Sequence, residues 1–304
     1  MPVRVAIPDM VSPSYFPAIA AVELGFFARE GLDATVELIF PVTRTYEELR
    51  EGRVDFVGGA AHAALYAFGD WQGCKLLCAL SQHMYWFLVV RRDLGVKRGD
   101  LRAVRGLRIG AAPGPVDGLK RMLADSGVDP EGEVKIGPVP GSAGSGVSFG
   151  MAAARALEEG SVDGFWANGM AAEVAVRGGT GTLVIDARRG DGPRGARHYT
   201  FAAMVAAQDR IDADPRRAAA AVRAVTAAQS ALKADPSLAA RAAQKLFPPA
   251  ELALIEELVR RDSPYYEPLI SQPSVRALNE FARSMGLLSR EPAYEDVVAA
   301  QSAA

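Results

Sequence analysis

One seven-residue pattern, Leu-x-Glu-Gly-x-Val-Asp, occurs twice, as Leu49-Arg50-Glu51-Gly52-Arg53-Val54-Asp55 and as Leu157-Glu158-Glu159-Gly160-Ser161-Val162-Asp163. Physically it is a helix that ends at Glu, a Gly able to adopt the left-handed conformation that terminates it, and a turn straight into a strand. Each copy is therefore one αβ connection. The copies lie about 100 residues apart, the size of one α/β lobe, so two similarly built lobes are expected.

The rest of the chain agrees with that class. Short apolar runs bounded by Gly, Pro or Asp alternate with amphipathic stretches, as in βαβ units and a mainly parallel sheet. Strands are expected over 3–7, 34–40, 54–57, 75–80, 86–90, 107–111, 133–136, 164–166, 183–185 and 199–205, and helices over 16–30, 43–51, 117–126, 147–159 and 168–177. From Asp214 onward the chain becomes Ala-rich and helical, over 215–234, 236–246, 249–261 and 274–285. A helical tail without strands of its own must pack on an existing lobe.

Composition excludes several classes of function. With 304 residues, 49% of them hydrophobic and 23% charged, the chain is long enough for a substantial core and unlike a disordered or fibrous sequence. A net charge of −2 provides no cationic field for nucleic acid. No run approaches the ~20 apolar residues of a membrane span. Met1-Pro2-Val3-Arg4-Val5-Ala6-Ile7 reads as a first strand and not as a signal peptide, so the chain as written is cytoplasmic, or periplasmic or extracellular if a signal was removed. The two cysteines, Cys74 and Cys78, fall on one expected strand with Cα atoms ~13 Å apart, too far for a disulfide. No cofactor or metal is expected.

Several segments together resemble a known family. Ala21-Val22-Glu23-Leu24-Gly25-Phe26-Phe27-Ala28-Arg29-Glu30-Gly31-Leu32-Asp33 is similar to the opening of ABC-transporter solute-binding proteins for nitrate, sulfonates, taurine and thiamine-pyrimidine precursors. The two Gly-x-Val-Asp turns, Leu107-Arg108-Ile109-Gly110 at the expected start of the second lobe, and the Ala-rich tail fit as well. The resemblance implies an α/β, two-lobed type II periplasmic-binding-protein-like fold with two hinge crossovers and a helical C-terminal tail. Lobe 1 would comprise 1–89 plus 201–304 and lobe 2 would comprise 90–200, with crossings near 89–91 and 198–200 and a ligand cleft between the lobes. It also implies a small-molecule ligand and, if the protein is exported, an ABC importer permease as partner.

Candidate ligand-binding residues lie on loops after the strands, where α/β sheets present crevices and helix N-termini. In the first lobe these are Asp9, Ser14 and Tyr15 after strand one, Thr43 after strand two, Gly59 and His62 after strand three, and Gln82 near the first crossing. Ser14 and Thr43 are equally expected as helix caps. In the second lobe they are Ser142 in the Gly- and Ser-rich run 141–146, and Trp166 and Asn168 at the end of a strand. Tyr15 and Trp166 on opposite lobes would sandwich a flat, aromatic or heterocyclic ligand, with Asp9 and Asn168 reading its edge. Ala112-Pro113-Gly114-Pro115 stands where the family resemblance suggests a Ser/Thr-rich anion cradle, and proline removes amide donors.

The same fold serves enzymes, and an intracellular decarboxylase, dehydratase or lyase is the alternative, with His62 and Asp9 as its acid/base pair. The pyrimidine synthases that resemble this chain over Val54 to His62 need a lysine for pyridoxal phosphate and a cysteine-rich iron motif. Here Gly58-Gly59-Ala60-Ala61 carries no lysine and the chain has no cysteine cluster. No G-x-S-x-G elbow or H-E-x-x-H accompanies the three histidines.

Overall fold

The computed structural model describes residues 2–142 and 148–300. The chain divides into two units, one running to Gln82 and resuming at Thr200, the other His83–Tyr199. It crosses between them twice, after Gln82 and after Tyr199.

The first unit is built on a five-stranded sheet ordered β2-β1-β3-β10-β4. Its strands are β1 (Val3–Ile7), β2 (Ala34–Leu38), β3 (Phe56–Ala60), β4 (Cys74–Ser81) and β10 (Ala202–Ala207). β1 pairs in parallel with β2 and β3, whereas β10 runs antiparallel between β3 and β4. The second unit repeats the plan as β7-β6-β8-β5-β9, with β5 (Phe87–Arg91), β6 (Arg108–Ala111), β7 (Lys135–Gly137), β8 (Gly164–Ala167) and β9 (Gly181–Asp186). Here β6 is parallel to β7 and β8, and β5 is the antiparallel strand, between β8 and β9. In each unit, then, the antiparallel strand is the one the chain enters after a crossing. The first crossing lies ahead of the expected one because β5 makes all its ladder bonds within the second sheet.

The helices are α1 (Phe16–Glu23), α2 (Phe26–Arg29), α3 (Val42–Arg50), α4 (Val116–Asp125), α5 (Phe149–Glu158), α6 (Gly169–Arg177), α7 (Gln208–Ala213), α8 (Pro215–Ala234), α9 (Leu238–Ala243), α10 (Pro249–Asp262), α11 (Gln272–Ser284) and α12 (Tyr294–Val297). The helix expected over 16–30 is broken at Gly25, which sits at φ 76°. In α3 the buried residues Val42, Thr45, Tyr46 and Leu49 recur at helical spacing, and the Tyr46 hydroxyl donates to the Ala60 carbonyl at 2.9 Å. That bond fixes the helix against the carboxyl end of β3.

Both copies of the repeated pattern form the same device. Gly52 and Gly160 each adopt φ 70°, the left-handed conformation that ends the preceding helix. The Asp that follows clasps the parallel strand beside it, β1 in the first unit and β6 in the second. Arg4 N donates to the Asp55 carboxylate at 2.8 Å and Arg108 N donates to that of Asp163 at 2.9 Å.

The helical tail belongs to the first unit, where α8 packs on α1 and α2. Its buried stripe is made of small residues, Ala218, Ala221, Ala224 and Ala228 with Val225 and Leu232, which lets the helices approach closely. The tail also covers the exposed edge of β4: Gln229 Nε2 donates to the Ala79 and Leu80 carbonyls, both at 2.9 Å, and Val298 forms an isolated parallel bridge with Leu76. Among the described residues no helix is long and apolar enough to cross a membrane, and no group of three or more His, Cys, Asp or Glu is arranged to hold a metal.

Candidate functional site

In the first unit the register sets Ala60, Ser81 and Ala202 at one end of the sheet, so the loops after β1, β3 and β4 and the approach to β10 share its carboxyl edge. His62 lies there in a short 3-10 turn after β3 (Ala61–Tyr66) and is 0% exposed. Its Nδ1 is 3.0 Å from the Thr200 hydroxyl, and its ring meets Phe281 edge-on with centroids 5.3 Å apart. Since Thr200 opens the return into this unit, the histidine is tied to the second crossing. The Ala61 amide reinforces the link by donating to the Phe201 carbonyl at 3.0 Å.

Asp9, Ser14 and Tyr15 occupy the loop between β1 and α1 and are all buried. Tyr15 is the residue preceding the first turn of α1, and Ser14 does not cap that helix. Thr43 lies inside the first turn of α3, whose cap position is Pro41. Gly59 has a packing role: a Cβ there would lie 3.0 Å from Val42 Cγ2 and 3.1 Å from the Tyr46 hydroxyl. The Gln82 amide donates to the Glu267 and Leu269 carbonyls, both at 2.8 Å, securing the segment ahead of the first crossing.

Ser142, Trp166 and Asn168 belong to the second unit. Ser142 donates its hydroxyl to the Val139 carbonyl at 2.7 Å, and the remainder of its loop, 143–147, lies outside the described residues. Asn168 accepts from the Ala171 amide at 3.1 Å and so caps α6. Trp166 is 0% exposed; its indole N–H donates to the Pro115 carbonyl at 2.8 Å, and its ring lies 6.2 Å from Trp86. The indole thus joins the end of β8 to the loop after β6.

Ser12 was not singled out by the sequence. It is 1% exposed in the loop that carries Asp9 and Ser14, and its hydroxyl has no hydrogen-bond partner among the described residues. Only a three-dimensional count of donors and acceptors could have found it, because an isolated serine in a Pro-containing loop carries no pattern. The cysteines are inert by contrast: burial pushes both thiols up to about 12.

Pyridoxal phosphate does not fit these residues. Neither β3 nor the turn after it supplies an amine, and Lys75 and Lys120 are committed to the Glu295 carbonyl at 2.6 Å and to Glu131 at 2.7 Å.

Two α/β units of one topology, joined by two crossings, define the two-lobed periplasmic-binding-protein class of fold. Solved structures agree. The alkanesulfonate-binding protein SsuA from Xanthomonas axonopodis pv. citri, bound to MOPS, superposes with a TM-score of 0.72 at 14% identity, covering 95% of this chain and 94% of that one. A putative sulfonate ABC transporter, periplasmic sulfonate-binding protein SsuA from Methylobacillus flagellatus KT, gives 0.66 at 17% identity, covering 98% and 91%. The desulfurization enzyme DszB gives 0.63 at 16% identity, covering 98% and 96%. At these identities the likeness establishes the fold. No curated protein sequence matches the chain. The family model described as "NMT1/THI5 like" matches residues 12–239, and the chain belongs to that family.

Proposed function

We propose that this chain reversibly captures a small organic solute and delivers it to an ABC importer. The observation that carries the reading is the near end-to-end match to sulfonate-binding proteins, which leaves neither unit without a counterpart. Binding would occur on the loops at the carboxyl edges of the two sheets, with Asp9, Ser14, Tyr15, Thr43, Gly59, His62 and Gln82 contributed by the first unit and Ser142, Trp166 and Asn168 by the second. The body of the solute would be aromatic or heterocyclic. Support for that comes from Tyr15 in the loop after β1 and from the ring cluster of the second unit, where Tyr85 and Trp86 lie 4.5 Å apart and Trp86 meets Trp166.

The second reading is an enzyme on the same fold, with His62 and Asp9 moving a proton. The observation favouring it is the likeness to DszB, since a desulfurization enzyme is built on this architecture. Native mass spectrometry of the protein purified from its host decides between them. A binder retains a small molecule that is released unchanged on unfolding. Incubation of that molecule with the protein giving a time-dependent new product, abolished by His62→Ala, overturns capture in favour of catalysis.

A further inference from the structure

Between α10 and α11 the tail of the first unit passes through a short 3-10 turn (Ser263–Tyr265) and a strip, 266–271, that is neither helix nor strand. Every carbonyl from Glu267 to Ile270 nevertheless accepts a hydrogen bond. Gln82 Nε2 donates to Glu267 and Leu269, the Ala79 amide donates to Pro268 at 2.9 Å, and the Tyr294 hydroxyl donates to Ile270 at 2.6 Å. The Gln82 amide itself donates to the Tyr265 carbonyl at 2.8 Å. Three bonds thus join Gln82, the last residue before the first crossing, to one stretch of tail.

The same stretch reaches the loop that carries Asp9, Ser14 and Tyr15. Tyr266 is 0% exposed, and its hydroxyl donates to the Pro13 carbonyl at 2.6 Å. Bonds within the loop are longer. The Ser12 amide lies 3.3 Å from the Asp9 carbonyl, that of Tyr15 lies 3.1 Å from Ser12, and that of Phe16 lies 3.4 Å from Pro13, against an ordinary ~2.9 to 3.0 Å. Pro8 and Pro13 add no amide donors. A buried phenol needs an acceptor, and the acceptor here is backbone, so the bond fixes where the chain runs. A loop fixed before binding costs less to order when solute arrives, which tightens capture.

We propose that Tyr266 is a positioning residue for solute capture, holding the loop after β1 in its binding shape and tying it, through 265–269, to Gln82. This rests on the reading of that loop as part of the solute site and adds a residue that acts on the site through Pro13. Loosening the strip at either attachment should loosen the other.

The test compares wild type with Tyr266→Phe, which keeps the buried ring and deletes only the hydroxyl, and with Tyr294→Phe, the same deletion at the Ile270 end of the strip. Two readouts are taken on the whole protein: amide hydrogen exchange resolved by NMR, and native mass spectrometry during dialysis of the small molecule retained from the host. In Tyr266→Phe the Ser12, Tyr15 and Phe16 amides should exchange about fivefold faster, Gln82 should follow, and the retained molecule should leave about fivefold faster. Tyr294→Phe should match wild type in both. Should Tyr266→Phe fail to fold, Gln82→Met, which frees the Glu267 and Leu269 carbonyls, is expected to speed exchange at Ser12, Tyr15 and Phe16. Unchanged exchange in the loop overturns the inference, as do equal effects in Tyr294→Phe, which would trace them to the tail as a whole. A faster-exchanging loop with unchanged release makes Tyr266 a structural residue only, overturning its role while solute capture stands. Wild-type protein that retains no small molecule overturns solute capture itself, and the role of Tyr266 with it.

Discussion

The Arg108 amide donates to the Asp163 carboxylate at 2.9 Å while the Asp163 amide returns a bond to the Arg108 carbonyl at 2.8 Å, so the two backbones are clasped from both sides. Arg4 and Asp55 form the same clasp in the first unit, at 2.8 and 2.9 Å. In the second unit the carboxylate also takes the guanidinium of Arg108 itself, whereas Asp55 takes that of Arg217 from α8. One sequence device thus fastens β1 to β3 in the first unit and β6 to β8 in the second.

Asp163 should therefore appear in the acid limb of stability. Its hydrogen bonds with Arg108 hold its carboxyl down at about 2, against an ordinary value of ~3.9. A carboxyl lowered on folding contributes stability that is complete above its ordinary value and is lost as pH falls toward the folded one. Thermal unfolding followed from pH 5 to pH 2 should show a decline that is shallower in Asp163→Asn. At neutral pH that variant should be less stable by about 1 kcal/mol, because water screens the pair. An unchanged acid limb would show that the clasp is not what titrates.

Gly58→Ala should destabilise the first unit without touching any ligand. A Cβ at that position would lie 2.5 Å from Ile7 Cδ1 and 3.2 Å from Leu80 Cδ1, both in the core of the sheet. Overpacking of this kind costs roughly 1 to 3 kcal/mol. Circular dichroism melts should show the loss, and the substitution at Gly25, where a Cβ meets nothing within 4 Å but φ is 76°, should act through backbone strain alone.

The Gly58-Gly59 pair also illustrates how far the sequence could be read. It reads as the turn after the third strand, yet both glycines lie inside β3, whereas both copies of the helix-stop pattern announced their left-handed glycines, because those are local effects of one residue on its own backbone. All ten expected strands form, the first with the expected ends and the others with shifted ones. What local pattern could not express was pairing: that β10 inserts between β3 and β4 follows from where the chain returns, not from its own six residues. Candidate residues behaved in the same way. Trp166 and Gln82 were read from their positions beside strands, yet their polar atoms are engaged by carbonyls of Pro115, Glu267 and Leu269, far along the chain. Tyr266 and Pro13, 253 residues apart, had no common signal at all.

His62→Ala should cost on the order of 2 to 3 kcal/mol, since it removes a fully buried ring and the partner of the Thr200 hydroxyl. His62→Asn keeps a polar atom near Nδ1 and should recover part of that loss. If His62 only braces the second crossing, solute affinity in the two variants will follow their melting temperatures. Affinity that falls in His62→Asn while its melting temperature is preserved would instead identify the imidazole as a ligand contact.

Ser12→Ala gives the opposite signature. Among the described residues the Ser12 hydroxyl is buried without a partner, a state that costs roughly 1 to 3 kcal/mol relative to a satisfied group. Replacing the hydroxymethyl side chain with a methyl deletes that hydroxyl and its penalty, so the variant should melt about 2 °C higher than wild type. A solute that uses the hydroxyl loses a hydrogen bond in the same variant, and its affinity should fall roughly fivefold to tenfold, about 1 kcal/mol. Stability and affinity then move in opposite directions, which a purely structural serine cannot produce. Differential scanning calorimetry of wild type and variant, each with and without the retained solute, checks both halves. A lower melting temperature without solute would show that the hydroxyl already has a partner, and an unchanged affinity would remove Ser12 from the site.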